Sequence, residues 1–184
     1  MKALLLLAGR SVRFWPLQEK SLFTVCGKTL LEHQMECLHE GGVREIVLVG
    51  GAHNFHEIRR QFPRLDVIQQ EKLEWGMRGA LLSALPLCRG KPVMIVSAND
   101  VVEPHAYRDL LRSARTADGA FLAKRMSTYF PGGYLMTRGK RVQSIVEKPV
   151  MGKQPSDLVT IVAHVHNNST ALLKTLRGIR GAAD

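Results

Sequence analysis

The chain has 184 residues, 45% of them hydrophobic and 23% charged, which suits a folded domain with a real core and excludes a disordered chain. Its formal net charge of +10 points to polyanionic partners, either nucleotide phosphates or nucleic acid. No apolar run approaches the length of a membrane span, and only about six apolar residues follow Lys2 with no cleavage-type site, so neither a membrane segment nor a secretory leader is expected.

The elements alternate in chain order. Ala3–Ala8 is an apolar run and reads as a buried strand. Leu31, Met35 and Leu38 stand at helical spacing, and Gly41-Gly42 ends that helix. Glu45–Val49 is a second strand, and His53–Phe62 a short helix closed by Pro63. Leu65–Gln70 is a third strand. Met77, Ala80, Leu81, Ala84 and Leu85 fit one helical face. Val93–Ala98 is a fourth strand, and Pro104 starts the helix marked by Tyr107, Leu110, Leu111 and Ala114. Ala120–Lys124 is a fifth strand. The pattern then changes to a hairpin, Gly132–Thr137 and Arg141–Lys148 around Gly139, followed by a strand over Leu158–His166 and a helix over Ala171–Ile179. Alternating units followed by a hairpin predict a three-layer α/β fold with a mixed, mostly parallel sheet. In such sheets ligands sit at the carboxyl ends of the strands, which places Gly9, Gln69-Gln70 and Asp100 at one edge.

Residues 105–148 hold nine Lys/Arg against three acids. The cations are scattered singly, with no basic tract and no aromatic platform, so phosphates are preferred over nucleic acid. Cys26, Cys37 and Cys88 show no C-x-x-C pairing, which suits reduced thiols of a cytoplasmic protein. His164 and His166 alternate on one strand face, but no third ligand accompanies them, and ordinary packed histidines are the better reading.

Three stretches carry chemistry. The first strand ends in Ala8-Gly9 and runs into a polar turn with Arg10, Ser11 and Arg13, with Lys20 seven residues after Arg13. Backbone N–H groups and spaced cations of this kind cradle phosphates, although an ordinary strand-to-loop connection has the same outline. Asp100, after the run Val93–Ala98, is a hard oxygen donor suited to Mg²⁺; a turn or helix-capping Asp is the alternative. Glu147-Lys148-Pro149 puts two charges at the rim of the hairpin, where Pro stops the strand, or is simply a solvated strand end.

Ala8-Gly9-Arg10-Ser11-Val12-Arg13, Pro16-Leu17, Lys20, Gly27-Lys28 and Glu147-Lys148-Pro149 together resemble the sugar-1-phosphate nucleotidyltransferases, with features of both the glucosamine-1-phosphate uridylyltransferase and the mannose-1-phosphate guanylyltransferase forms. The resemblance implies a Rossmann-like, GT-A-like α/β/α nucleotidyltransferase fold over residues 1–184, with a β-hairpin insertion. It implies that Arg13 holds the β/γ-phosphates and Lys20 the α-phosphate, that Ala8, Gly9 and Ser11 form the nucleotide loop, and that Gln70 and Gly76 meet the base. It further implies Mg²⁺ on Asp100, and Gly133, Glu147 and Lys148 against the sugar phosphate. Trp75 is read as a packed aromatic ahead of a base-stacking one. The sequence departs from the family at Ser11, Val12, Glu19, Met77 and Asn99, where Gly, Thr, Pro, Thr and Gly are usual. The family's second metal-binding Asp or Asn has no secure counterpart, since Asp157 lies too near Glu147 and Asp184 is the last residue. The expectation is therefore a cytoplasmic, Mg²⁺-dependent nucleotidyltransferase acting on an NTP and a sugar 1-phosphate, lacking the C-terminal part of longer members, truncated or degenerate. No nucleic-acid or membrane partner is expected, and a homo-oligomer is left open. A molybdenum-cofactor-type guanylyltransferase and a non-catalytic nucleotide- or sugar-phosphate-binding module are the alternatives.

Overall fold

The computed structural model describes residues 1–9 and 19–179. Four β/α units and a further strand lead: β1 (Lys2–Leu6), α1 (Leu30–Glu40), β4 (Glu45–Gly50), α2 (Phe55–Gln61), β5 (Asp66–Gln69), α3 (Gly76–Ala84), β6 (Val93–Ser97), α4 (Pro104–Ala114) and β7 (Gly119–Arg125). A two-residue ribbon, β2 (Thr24–Val25) and β3 (Lys28–Thr29), precedes α1. The hairpin β8 (Gly133–Arg138) and β9 (Arg141–Glu147), then β10 (Leu158–His166) and α5 (Ser169–Gly178), complete the order.

Eight strands form one mixed sheet. β5, β4, β1 and β6 lie side by side and run parallel, while β10 lies antiparallel against β6, β7 and β8. β7 follows one edge of β10; on the other edge β6 pairs with Ala163–His166 and β8 meets Val159. The runs of β1, β4 and β6 are largely apolar because both faces of these strands are covered. Ala3, Leu5, Leu48, Met94 and Val96 pack with Leu31, Leu38, Ile58 and Tyr107 from α1, α2 and α4. Leu4, Val47, Val49 and Ile95 pack with Ala80, Leu81 and Ala84 of α3 and with Leu172 and Leu176 of α5. Three layers result, as the alternation predicts.

Local chemistry explains the ends. Thr29 and Glu32 form a capping box on α1: the Thr29 hydroxyl accepts from the Glu32 N–H at 3.1 Å, and the Glu32 carboxylate accepts from the Thr29 N–H at 2.7 Å. Those bonds hold the Glu32 carboxyl below the usual range. Asn168 caps α5 by accepting from the Ala171 N–H at 2.9 Å. The α3 pattern extends to Leu85 in the sequence, but the α-helix stops at Ala84. Pro86 has no N–H to donate, and Leu85–Cys88 continue as a 3₁₀ turn.

Candidate active site

The carboxyl ends of the parallel strands open into a cleft of about 560 Å³. Leu6, Ala8 and Gly9 enter it from the end of β1, Gln70 from the end of β5, and Ser97 and Asn99 from the end of β6. Gly76, Met77 and Ala80 enter from the start of α3, and Val162 from β10. Strand pairing persists to the mouth: the Leu7 N–H donates to the Val49 carbonyl at 2.8 Å and the Ala98 N–H to the Leu6 carbonyl at 3.2 Å. Four of the sequence-predicted positions, Ala8, Gly9, Gln70 and Gly76, therefore line one cavity. Ser11 and Arg13 lie outside the described residues.

The loop leading to α3 is built around Gln70. Its side chain is 2% exposed and donates to the carbonyls of Lys72 at 2.7 Å and Gly76 at 2.9 Å. Both amide protons are thus engaged by the loop itself, leaving the amide oxygen as the atom able to address a ligand. Gly79 is required here by close approach: a Cβ would stand 2.4 Å from the Lys72 carbonyl and 2.5 Å from Gln70 Nε2. Gly76 has φ of 50°, which a side chain would resist. Trp75 is half-buried under two cations, with Lys72 Nζ 4.0 Å and Arg78 Cζ 4.5 Å from the ring centroid. That is the packed reading of this residue. Arg78 also ties the cleft helix to the end of α5, donating to the Leu176 carbonyl at 3.0 Å.

Asp100 is exposed one residue beyond Asn99, on the turn that leaves β6. Gln34, fully buried on α1, steadies that turn from beneath by donating to the Ser97 carbonyl at 2.7 Å. Its second contact is the Tyr107 hydroxyl at 3.3 Å; burial pushes Tyr107 up to about 12, with Asp100 adding in the same direction. Among the described residues no three His, Cys, Asp or Glu cluster as a metal site. One exposed carboxylate beside the cleft would fit Mg²⁺, an ion that keeps waters and takes further oxygens from a bound ligand's phosphates. Glu103 does not cap α4 through its side chain; its carboxylate meets His105 Nδ1 at 3.0 Å instead. Asp157 is committed to an ion pair with Arg125.

The third group of positions sits on the hairpin. Gly133 opposes Glu147 in the β8–β9 ladder. A Cβ on Gly133 would meet Thr160 Cγ2 at 2.9 Å and Glu147 Oε2 and Ile145 Cγ2 at 3.0 Å, so only glycine admits the carboxylate there. Lys148 follows with φ of 41°, in the left-handed region that costs an L-residue roughly 1–2 kcal/mol. The turn is held by the Lys148 N–H donating to the Gly132 carbonyl at 3.1 Å and by the Tyr129 hydroxyl donating to the Pro149 carbonyl at 2.9 Å. Lys148 Nζ stands 4.0 Å from Glu147 Oε1, both side chains about two-thirds in solvent at 68% and 65%. β10 joins the two regions, packing Thr160 against Gly133 and placing Val162 in the cleft.

His164 and His166 form a packed pair, Nδ1 to Nε2 at 3.0 Å, with Phe121 stacked on His164 at 5.2 Å between ring centroids. Burial, then the neighbouring imidazole, lowers His164 to about 4; burial also lowers His166.

The structure thus offers a cleft at the strand ends and, linked to it through β10, a hairpin rim that carries Glu147 and Lys148. Residues 3–178 match the family model of the MobA-like NTP transferase domain, and the chain belongs to that family. It is 25% identical over 193 residues to the bifunctional protein GlmU of Pelotomaculum thermopropionicum, covering 99% of this chain and 41% of that protein. It is 29% identical over 164 residues to the mannose-1-phosphate guanylyltransferase catalytic subunit beta of Danio rerio, covering 81% of this chain and 45% of that one. The chain thus spans less than half the length of these relatives. A crystal structure of apo UDP-glucose pyrophosphorylase superposes with a TM-score of 0.78 at 17% identity, over 96% of this chain and 79% of that one, and shares the fold. The resemblance to sugar-1-phosphate nucleotidyltransferases drawn from the sequence motifs is borne out at the level of the family.

Proposed function

We propose that the chain transfers a nucleotidyl group from an NTP to a sugar 1-phosphate, giving a nucleotide-sugar and pyrophosphate. The observation that carries this reading is the meeting of Ala8-Gly9, Gln70, Gly76 and Asn99 in one cleft at the carboxyl ends of the parallel strands. A phosphate oxygen of the sugar phosphate attacks the α-phosphorus, the α–β bridge bond breaks, and pyrophosphate leaves. No covalent enzyme group is needed, so the protein contributes positioning and charge neutralisation.

In this reading Ala8, Gly9 and Ser11 present backbone N–H groups to the triphosphate. Arg13 holds the β/γ-phosphates and Lys20 answers the charge growing at the α-phosphate. The Gln70 amide oxygen and the Gly76 backbone face the base. Gly133, Glu147 and Lys148 seat the sugar phosphate, the carboxylate on hydroxyls and the ammonium on the phosphate. Asp100 would hold Mg²⁺, which when bound supplies charge neutralisation on the phosphate oxygens. The strained backbone at Lys148 supports a functional role, because such positions persist where the surroundings enforce them. The reading keeps residues 1–184 as one nucleotidyltransferase unit acting in the cytoplasm. The printed name of one relative, mannose-1-phosphate guanylyltransferase, supports the sugar-phosphate acceptor.

A second reading is favoured by the MobA-like description of the matching family model: a molybdenum-cofactor-type guanylyltransferase. The Glu147-Lys148 rim beside Gly133 favours the sugar-phosphate acceptor over it. A non-catalytic binding module is the third. Pyrophosphate release from each common NTP with a panel of sugar 1-phosphates tests the first reading against the other two. Turnover with a sugar 1-phosphate supports the first reading; ligand binding without turnover under any pairing leaves the second and third.

A further inference from the structure

We infer that Asn54 and Glu19 form a clamp that holds both ends of the phosphate-loop segment and sets the position of Lys20. Asn54 is 4% exposed at the start of α2, and its side chain makes no capping bond to that helix. Its Nδ2 donates instead to the Leu7 carbonyl at 2.9 Å and to Glu19 Oε2 at 2.5 Å, and its Oδ1 accepts from the Gly51 N–H at 2.8 Å. Leu7 immediately precedes Ala8-Gly9, the cleft-lining start of the loop. Glu19 immediately precedes Lys20. One buried amide therefore ties the entry of the segment, its exit and the end of β4 together.

Among the described residues Glu19 is the one acidic member of this cluster, and both its carboxylate oxygens are engaged. Its other oxygen, Oε1, accepts from the Ser21 hydroxyl at 2.7 Å, and Ser21 is itself 1% exposed. His53 Nε2 stands 3.8 Å from Oε2. The following backbone closes as a tight turn, the Leu22 N–H donating to the Glu19 carbonyl at 3.3 Å and the Phe23 N–H to the Lys20 carbonyl at 3.2 Å. A carboxylate accepting two bonds in a largely water-excluded place fixes its own backbone, and with it the next residue. Where the resembled family has a proline, which restricts the chain through its ring, this chain has a side-chain tether. Asn54 and Glu19 are positioning residues: they touch the loop ends, and act on phosphates through Lys20.

The inference rests on the proposed role of Lys20, and a double-mutant cycle separates the two. Glu19→Ala should lower kcat for pyrophosphate release on the order of tenfold, with a smaller change in the KM for sugar phosphate. Glu19→Gln, whose amide oxygen still accepts from Asn54, should recover most of that loss. In a Lys20→Ala background, Glu19→Ala should add little further loss, because the clamp has nothing left to position. Independent, multiplying effects in the cycle, or wild-type kcat in Glu19→Ala, would overturn the clamp while leaving the functional reading intact. If the wild-type chain releases no pyrophosphate with any NTP, the functional reading fails instead. The clamp is then judged by amide hydrogen exchange: faster exchange at Leu22 and Phe23 in Glu19→Ala supports it, and unchanged exchange overturns it.

Discussion

The parallel and antiparallel halves of the sheet are built for different tasks. In β5, β4, β1 and β6 the central strands are covered on both faces, and Leu4, Leu5 and Leu48 are 0% exposed. In the hairpin, every residue of β9 but Val146 is exposed, and Met136 and Ile145 are more than 40% exposed. The buried half gives a rigid edge from which Gly9, Gln70 and Asn99 meet across a cleft. The hairpin, exposed along β9, holds its proposed site residues by local means: the close approach at Gly133, the left-handed Lys148 and the hydrogen bonds that close the Pro149 turn. Stability should therefore reside in the parallel block rather than in β9, and part of the proposed acceptor specificity in the hairpin.

The sharpest test of that division is a pair of truncations. Leu48→Ala should destabilise the fold by about 2–5 kcal/mol, as for a fully buried leucine. Ile145→Ala, at a side chain 43% exposed, should change it by about 1 kcal/mol or less. Denaturant midpoints for the two variants measure this, and equal losses would erase the distinction.

The next effect separates stability from function within the hairpin. Lys148→Gly relieves the left-handed backbone but removes the cation. Thermal stability should hold or rise slightly, while the KM for sugar phosphate rises roughly 10- to 100-fold, the worth of a charge-assisted phosphate bond of about 1.5–3 kcal/mol. A loss of stability with unchanged KM would make Lys148 a structural residue.

A smaller effect belongs to the half-buried imidazole pair on β10, packed against Phe121 of β7. His164 titrates near 4 in the fold against an ordinary 6.5, so between those values the unfolded chain binds a proton that the folded one refuses. Stability should consequently fall as pH drops from 6.5 toward 4, by up to about 1.4 kcal/mol per pH unit for this one group. His164→Phe should flatten that slope in pH-dependent unfolding. An unchanged slope would place the acid sensitivity elsewhere.

Much of this contrast was legible in the sequence, for physical reasons. Strands covered on both faces are nearly continuous apolar runs, so Ala3–Ala8, Glu45–Val49 and Val93–Ala98 announced the parallel block. Glycines required by geometry, such as Gly76 and Gly133, stood in recognisable motifs. What escaped was set by tertiary contact. The ribbon of β2 and β3 has two residues per strand, too few for a period, and its turn puts Cys26 and Gly27 at φ of 51° and 80°. Gln70 was visible as a candidate, but the engagement of both its amide protons by the loop was not. Gln34 and Asn54 carried no sequence signal beyond a polar residue near helical positions, because their partners, Ser97, Leu7 and Glu19, are distant in the chain.

Pyrophosphate release with Mg²⁺, NTP and sugar 1-phosphate, compared between the wild-type chain and Asp100→Asn, tests the central claim most directly. Asp100 is exposed, so the substitution should leave the fold intact. Loss of a metal ligand at the transferring phosphate should lower turnover on the order of 10²-fold or more. A correctly folded Asp100→Asn that releases pyrophosphate at the wild-type rate would contradict the assignment of this cleft as a metal-assisted nucleotidyl-transfer site.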